Sequence, residues 1–155
     1  MRMIKIVGST IIGLVAFLLL LSVTGFEPKG RVAGLWLKGE GVTAPVTDWS
    51  FTDKIPEIEL QTQTPFLLPH SVTIWCAVYN GNLYVTSARG RQWVENSVRD
   101  PHVRLKIGDK VFDRTLSIVD DPVEKAAVLQ AKGKKYPQWK VPSVSASTVF
   151  RVNPA

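Results

Sequence analysis

Between Ser87 and Arg91 the sequence reads SARGR, which places a hydroxyl, two guanidinium groups and a glycine within one short segment. The segment falls where strand-type residues give way to helical ones. Such a junction offers free backbone N–H groups, the positive end of a helix dipole and two forked cations, a combination suited to a phosphate. Gly90 would let the backbone approach that group closely. Trp93 follows and either packs beside a bound ring or sits beneath the helix as core. Other reactive residue types are sparse. A single cysteine, Cys76, excludes an intrachain disulfide and a cysteine-built metal centre, and a buried inert thiol is its expected state. His70 and His102 are the only histidines, and neither has a supporting ligand at metal-site spacing. No paired carboxylates and no Ser–His arrangement stand out, so no catalytic residue is singled out and no metal is expected.

These groups need a scaffold, and 155 residues with 45% hydrophobic and 21% charged side chains suffice for one globular domain. The net charge of +6 is spread along the chain. It suits an anionic ligand but lacks the clustered basic face of a nucleic-acid binder.

Strand periodicity begins at residue 55. Ile58 and Leu60 alternate with Glu57, Glu59 and Gln61, the pattern of a half-buried strand. Ser71–Tyr79 and Asn82–Ser87 flank Asn80-Gly81, the strongest short-range hairpin signal because both central turn residues need positive φ. That turn sets Val78 against Leu83, Cys76 against Val85, Ala77 against Tyr84, Trp75 against Thr86 and Ile74 against Ser87. A second hairpin turns at Gly108-Asp109, with Val103, Leu105 and Ile107 facing the side of Phe112, Leu116 and Ile118. Between the hairpins, Trp93, Val94, Ser97 and Val98 at i, i+4 spacing predict two helical turns closed before Pro101. Asp121, Pro122 and Glu124 predict an N-cap, a first helical residue and a capping-box partner for a second helix ending at Gly133. A last strand is expected near Ser145–Val152. Six strands and two short helices predict a mainly β, α+β domain built on a small antiparallel barrel.

The segment Ile6–Phe26 carries no ionisable side chain and would be roughly 30 Å long as a helix, the thickness of a bilayer core. Arg2 and Lys5 precede it. A secretory signal is the rival reading, but the exit lacks a small-x-small cleavage site, and an uncleaved anchor is preferred. The expected organisation is therefore a membrane anchor or uncleaved signal at 1–26, a lead-in at 27–54 and the barrel domain at 55–155. Residues 6–26 would contact lipid, and the positive-inside rule would place a single-pass chain with its C-terminal domain outside the cytoplasm. The lead-in is rich in Gly, Pro and Thr, with a short strand expected near Leu35–Lys38 and with Trp36 and Trp49 either in the headgroup region or packed on the domain.

The stretch from Asn80-Gly81 onward resembles the flavin- and deazaflavin-binding split barrels, the pyridoxamine-phosphate-oxidase-like proteins and more closely the deazaflavin-dependent nitroreductase family. Ser87, Arg89 and Arg91 end a strand, Trp93 and Asn96 form a Trp-x-x-Asn on the helix, and Pro101 and Val103 form the Pro-x-Val entry to a strand closed by Ile107. The resemblance spans roughly residues 55–152, and its specific part is about 25 residues long. It implies a six-stranded antiparallel split barrel, FMN or a deazaflavin coenzyme held by Ser87, Arg89, Gly90, Arg91, Trp93 and Asn96, and a homodimer. It further implies reduction of a small oxidant such as a quinone or nitro compound. The Gly-Arg-x-Ser-Gly turn usual in that family is replaced here by Thr62–Pro69 (TQTPFLLP), with no glycine and no base. A cofactor-free, anion-binding or interaction module is the alternative.

Overall fold

The computed structural model describes residues 2–88 and 90–155. Helix α1 (Arg2–Thr24) is followed by a two-residue strand β1 (Glu40–Gly41) and a 3-10 turn at Ser50–Lys54. Then come β2 (Ile58–Gln63), β3 (Pro69–Ile74), β4 (Cys76–Tyr79), β5 (Asn82–Ala88), α2 (Gln92–Arg99) and β6 (His102–Ile107). The chain ends with β7 (Lys110–Ile118), α3 (Pro122–Lys135) and β8 (Ser147–Pro154). One sheet runs in the order β3-β2-β6-β7-β8-β5-β4, with antiparallel pairs throughout, and β1 adds to β7 in parallel. The two ends of that order, β3 and β4, are consecutive in the chain and joined through Trp75. The sheet therefore curls back on itself into a split barrel.

Strand alternation fills the interior with Ile58, Leu60, Leu83, Val85, Leu105, Phe112, Phe150 and their neighbours, and α2 adds Trp93 and Val94 to the same cluster. A second cluster lies outside the barrel, where Val128 and Leu129 of α3 cover Tyr84, Val119 and Val149. This second layer explains why β5 is apolar on both faces. Helix α3 begins as expected, with the Asp121 carboxylate accepting from the N–H groups of Val123 (3.0 Å) and Glu124 (3.3 Å). Glu124 does not complete a capping box. It accepts instead from the Tyr84 hydroxyl (2.7 Å) and from Arg151 (2.5 Å), fastening the helix start to β5 and β8.

The first hairpin keeps the expected register from Tyr79↔Asn82 to Cys76↔Val85. The further pairs, Trp75–Thr86 and Ile74–Ser87, do not form, because the chain leaves that hairpin at Trp75 and pairs β3 with β2 instead. The expected single strand 71–79 is thus two strands serving opposite ends of the sheet. With β1 added, the sheet has eight strands rather than six.

The transmembrane expectation is corrected. Helix α1 stops at Thr24, Gly25 takes φ +81°, and Phe26 turns to donate its N–H to the Trp36 carbonyl (3.1 Å). The apolar run of the sequence is therefore not all helix, and among the described residues no helix is long and apolar enough to cross a membrane. The lipid contact through residues 6–26, the single-pass topology and the placement outside the cytoplasm rested on that span and fall with it. Most large apolar side chains from Ile11 to Val23 are exposed on α1, while Leu18 and Leu21 are half-buried.

The lead-in lies on the barrel. An ion pair joins Glu27 to Lys106 of β6, Gly34 bridges Ser71 of β3, and Trp49 packs edge-on against Phe112 at 5.4 Å. Trp49 is core, not interfacial, and residues 35–38 form no strand. At Gly34 the backbone of Phe26, Glu27 and Pro28 already occupies the space that a Cβ would need.

In the Asn80-Gly81 turn, φ is +50° at Asn80 and +75° at Gly81, and a Cβ on Gly81 would meet nothing nearer than 3.8 Å. Gly81→Ala should therefore act through the backbone alone, lowering stability by about 1–2 kcal/mol. Urea unfolding should show a lower midpoint at unchanged slope, and an unmoved midpoint would refute the turn assignment.

Candidate functional site

The junction that the sequence singled out lies at the end of β5. Ser87 is half-buried and pairs with Thr148 of β8, while Arg89 lies outside the described residues. Gly90 takes φ +76°, a backbone conformation that favours glycine, with open space where a Cβ would stand. Arg91 is extended (φ −90°, ψ 135°) at the N-cap of α2, and its carbonyl accepts from Val94 (2.9 Å) and Glu95 (3.2 Å). Its side chain makes no cap and is exposed.

Trp93 and Asn96 face the other way. Trp93 is buried against Phe150, with ring centroids 5.7 Å apart. Asn96 is wholly buried and donates from Nδ2 to Thr62 Oγ1 (3.0 Å), which itself donates to the His70 carbonyl (3.1 Å). Gln92 donates to Asn96 Oδ1 (3.1 Å). The pair therefore fastens α2 to β2 and β3. They hold the junction in place without lining its surface.

The surface itself is a cleft of about 350 Å³ between β5, the start of α2 and α3. Thr86, Ser87, Arg91, Lys132, Trp139, Lys140 and Ser147 line it, together with Ala88, Pro142 and Ala146. Among the described residues three cations and four hydroxyl or indole groups face it, and no carboxylate does. Lys132 is the unusual member. Only 5% exposed, its ammonium donates to Thr86 Oγ1 (2.6 Å) and lies 4.5 Å from the Trp139 ring and 5.8 Å from that of Trp75. Among the described residues no carboxylate stands within ion-pair distance of it. Burial pushes its pKa down to about 8, against a small opposing pull from Cys76.

Lys132 was not singled out in the sequence, although a signal exists. It stands four residues after Val128 and three after Leu129 and so shares the apolar face of α3. The remaining candidates lie apart. Cys76 is fully buried, with the Lys135 ammonium 3.4 Å from its sulfur. His102 pairs with Asp100 (2.9 Å) at the surface. His70 keeps a buried Nδ1 without a partner, and burial lowers its pKa.

A buried base whose folded pKa lies near 8, against 10.5 when unfolded, binds protons less well in the folded chain. Stability should therefore rise as pH climbs from 8 to 10.5. Lys132→Met should stabilise the chain at pH 7 by on the order of 1–3 kcal/mol, with the gap closing at high pH. Parallel urea melts of both proteins across that range check this, and a constant difference would show that the ammonium carries no desolvation cost.

No family model matches the sequence, and no curated protein does. Solved structures do match. A conserved hypothetical protein of Mycobacterium tuberculosis superposes with a TM-score of 0.58 at 22% identity, over 68% of this chain and 76% of its own. An F420 reductase matches with a TM-score of 0.55 at 21% identity, over 72% and 96% of the two chains. A haem storage protein of Vibrio cholerae matches at 0.57 with 17% identity, over 68% and 86%. The names differ in chemistry while the architecture is shared. The chain thus has the split-barrel fold of the pyridoxamine-phosphate-oxidase-like proteins, as its residues 87–107 led one to expect.

Proposed function

We propose that this chain is an oxidoreductase-type split barrel that binds FMN or a deazaflavin coenzyme by its anionic tail in the cleft over Lys132. The observation that carries this reading is a desolvated ammonium with no counter-charge among the described residues, flanked by two further cations and by hydroxyls. An unpaired buried cation is costly, and a phosphate beside it removes that cost. Lys132 would meet the phosphate from below, and Arg91 would offer its fork from the N-cap of α2. Lys140 would add charge at the rim, with Ser87, Thr86 and Ser147 donating hydroxyl hydrogen bonds. Arg89 joins the reading as a second fork, with Gly90 turning the chain toward it. Trp93 and Asn96 serve as positioning residues. A bound coenzyme of this class supplies hydride or electrons for a small oxidant such as a quinone or nitro compound, and the barrel binds and orients it. The resemblance carries a homodimer with it.

One observation favours a second reading, a cofactor-free anion-binding module. The β2–β3 connection Thr64–Leu68 carries no cation and leaves Phe66 and Leu67 exposed.

Titration of the full chain with FMN, with a deazaflavin coenzyme and with inorganic phosphate separates the two. The first reading expects saturable binding of one coenzyme, with stabilisation of about 2.7 kcal/mol at a hundredfold excess over Kd. Arg91→Ala and Lys132→Met should each weaken it at least about tenfold. Affinity should also fall as pH rises past about 8, where Lys132 gives up its proton. Binding of phosphate without either coenzyme would establish the second reading and overturn the first.

A further inference from the structure

Strand β7 carries a charge at a position that its own alternation reserves for the core. Phe112, Arg114 and Leu116 share the inward face, and all three are buried, Arg114 to 92%. Its cross-strand neighbours are Val103 of β6 and Pro154 of β8, so the guanidinium stands just inside one mouth of the barrel. There it lies 5.5 Å from the Trp49 ring and 5.3 Å from the Phe112 ring. Its one hydrogen bond within the described residues goes from Nη1 to the Asp113 carbonyl (2.6 Å). The Asp113 carboxylate, on the opposite face of the strand, accepts from Arg104 instead (3.0 Å). A fork with several donors thus rests beside two aromatic rings that contact each other, and among the described residues it makes no ion pair.

The guanidinium borders a cleft of about 370 Å³, distinct from the one over Lys132. The lead-in builds its outer wall. Val42 donates its N–H to the Val111 carbonyl (2.8 Å) and Trp49 to the Gly81 carbonyl (3.0 Å), which pins the loop between them over the barrel mouth. Val46, Trp49 and Val152 give the cleft apolar sides, and Thr43, Asn82 and Asn153 give neutral polar ones. The second charged side chain on its lining is the acid Asp113. A single planar fork beside an acid favours one negative charge over two, and its geometry matches a carboxylate bidentately. The volume and the apolar walls fit a small molecule.

We propose that this mouth is a second ligand site, which recognises a small monocarboxylate with an apolar body through Arg114. It stands independently of the coenzyme reading, since it shares no lining residue with the Lys132 cleft.

The test follows the Trp49 indole resonance of the isotopically labelled full chain, assigned with Trp49→Phe, as benzoate, hexanoate, benzamide and inorganic phosphate are titrated in. One or both carboxylates should shift the resonance saturably, benzamide should not, and phosphate should bind at least about tenfold more weakly. Arg114→Met, which keeps apolar bulk in the row, should weaken carboxylate binding at least about tenfold, and Arg114→Lys should recover part of it. If Arg114→Met fails to fold, Asn153→Leu should weaken binding by narrowing the cleft from its rim. An unmoved resonance with both acids, wild-type affinity in Arg114→Met, or phosphate binding as tightly as benzoate would overturn the proposal. So would a short peptide with a free C-terminal carboxylate that binds more tightly than either acid, because the site would then read a chain terminus.

Discussion

The stack between Trp75 and Tyr136 holds the molecule together at its one discontinuity. Their ring centroids lie 4.4 Å apart and their planes differ by 7°. Trp75 is where the chain passes from one end of the sheet to the other, and Tyr136 is the residue that ends α3. The Tyr136 hydroxyl donates toward the carbonyls of Pro56 (2.8 Å) and Cys76 (3.2 Å), on either side of that passage. Aromatic stacking adds to area burial, and here it also fixes direction, because it pins the end of α3 across the barrel seam. Lys132 lies one turn before Tyr136, so the same contact delivers its ammonium to the floor of the cleft.

Electrostatically, the chain treats its basic residues in two ways. Arg104, Lys106 and Arg151 are matched with acids on a neighbouring strand, in the lead-in and on α3 respectively. Lys132 and Arg114 are buried, rest against aromatic rings and have no carboxylate partner among the described residues. Aromatic faces offset part of the desolvation of a cation but do not neutralise it. Each of these two residues stands at the wall of a cleft without an acid to match it, whereas the charge of each matched one is engaged in tying elements together. A net charge read from composition cannot separate these groups, since the separation lies in which face of a helix or strand each residue occupies.

Local chemistry explains how much of the fold was legible. The Asn80-Gly81 turn fixed a register through backbone dihedrals, and Asp121-Pro122 marked a helix start through capping; both depend on neighbours in sequence, and the helix start held while the register held as far as Cys76. The break at Trp75 left no such mark, because 71–79 reads as one strand until a distant ring, Tyr136, stacks on it. The apolar N-terminal run was read from its length, its lack of ionisable side chains and its basic flank, and the turn at Gly25 and Phe26 depends on Trp36, ten residues on. In the site, Ser87 and Arg91 were found because strand end and helix start were both visible. Trp93 and Asn96 carried the resemblance, yet their side chains turn inward to brace α2. Lys132 and Arg114 were passed over for one reason: each is a charge on an apolar stripe, which a pattern search discards as noise.

The crossing at Gly34 has a consequence for how this chain can vary. Three backbone atoms, the Phe26 oxygen, the Pro28 nitrogen and the Glu27 carbon, lie 2.4–2.6 Å from where a first side-chain carbon would stand. Since all three belong to the main chain, no rotamer change elsewhere can make room. Any side chain at this crossing must therefore push the N-terminal segment away from the third strand, which Gly34 bridges at Ser71, so a single missing carbon decides whether the lead-in can lie on the barrel there.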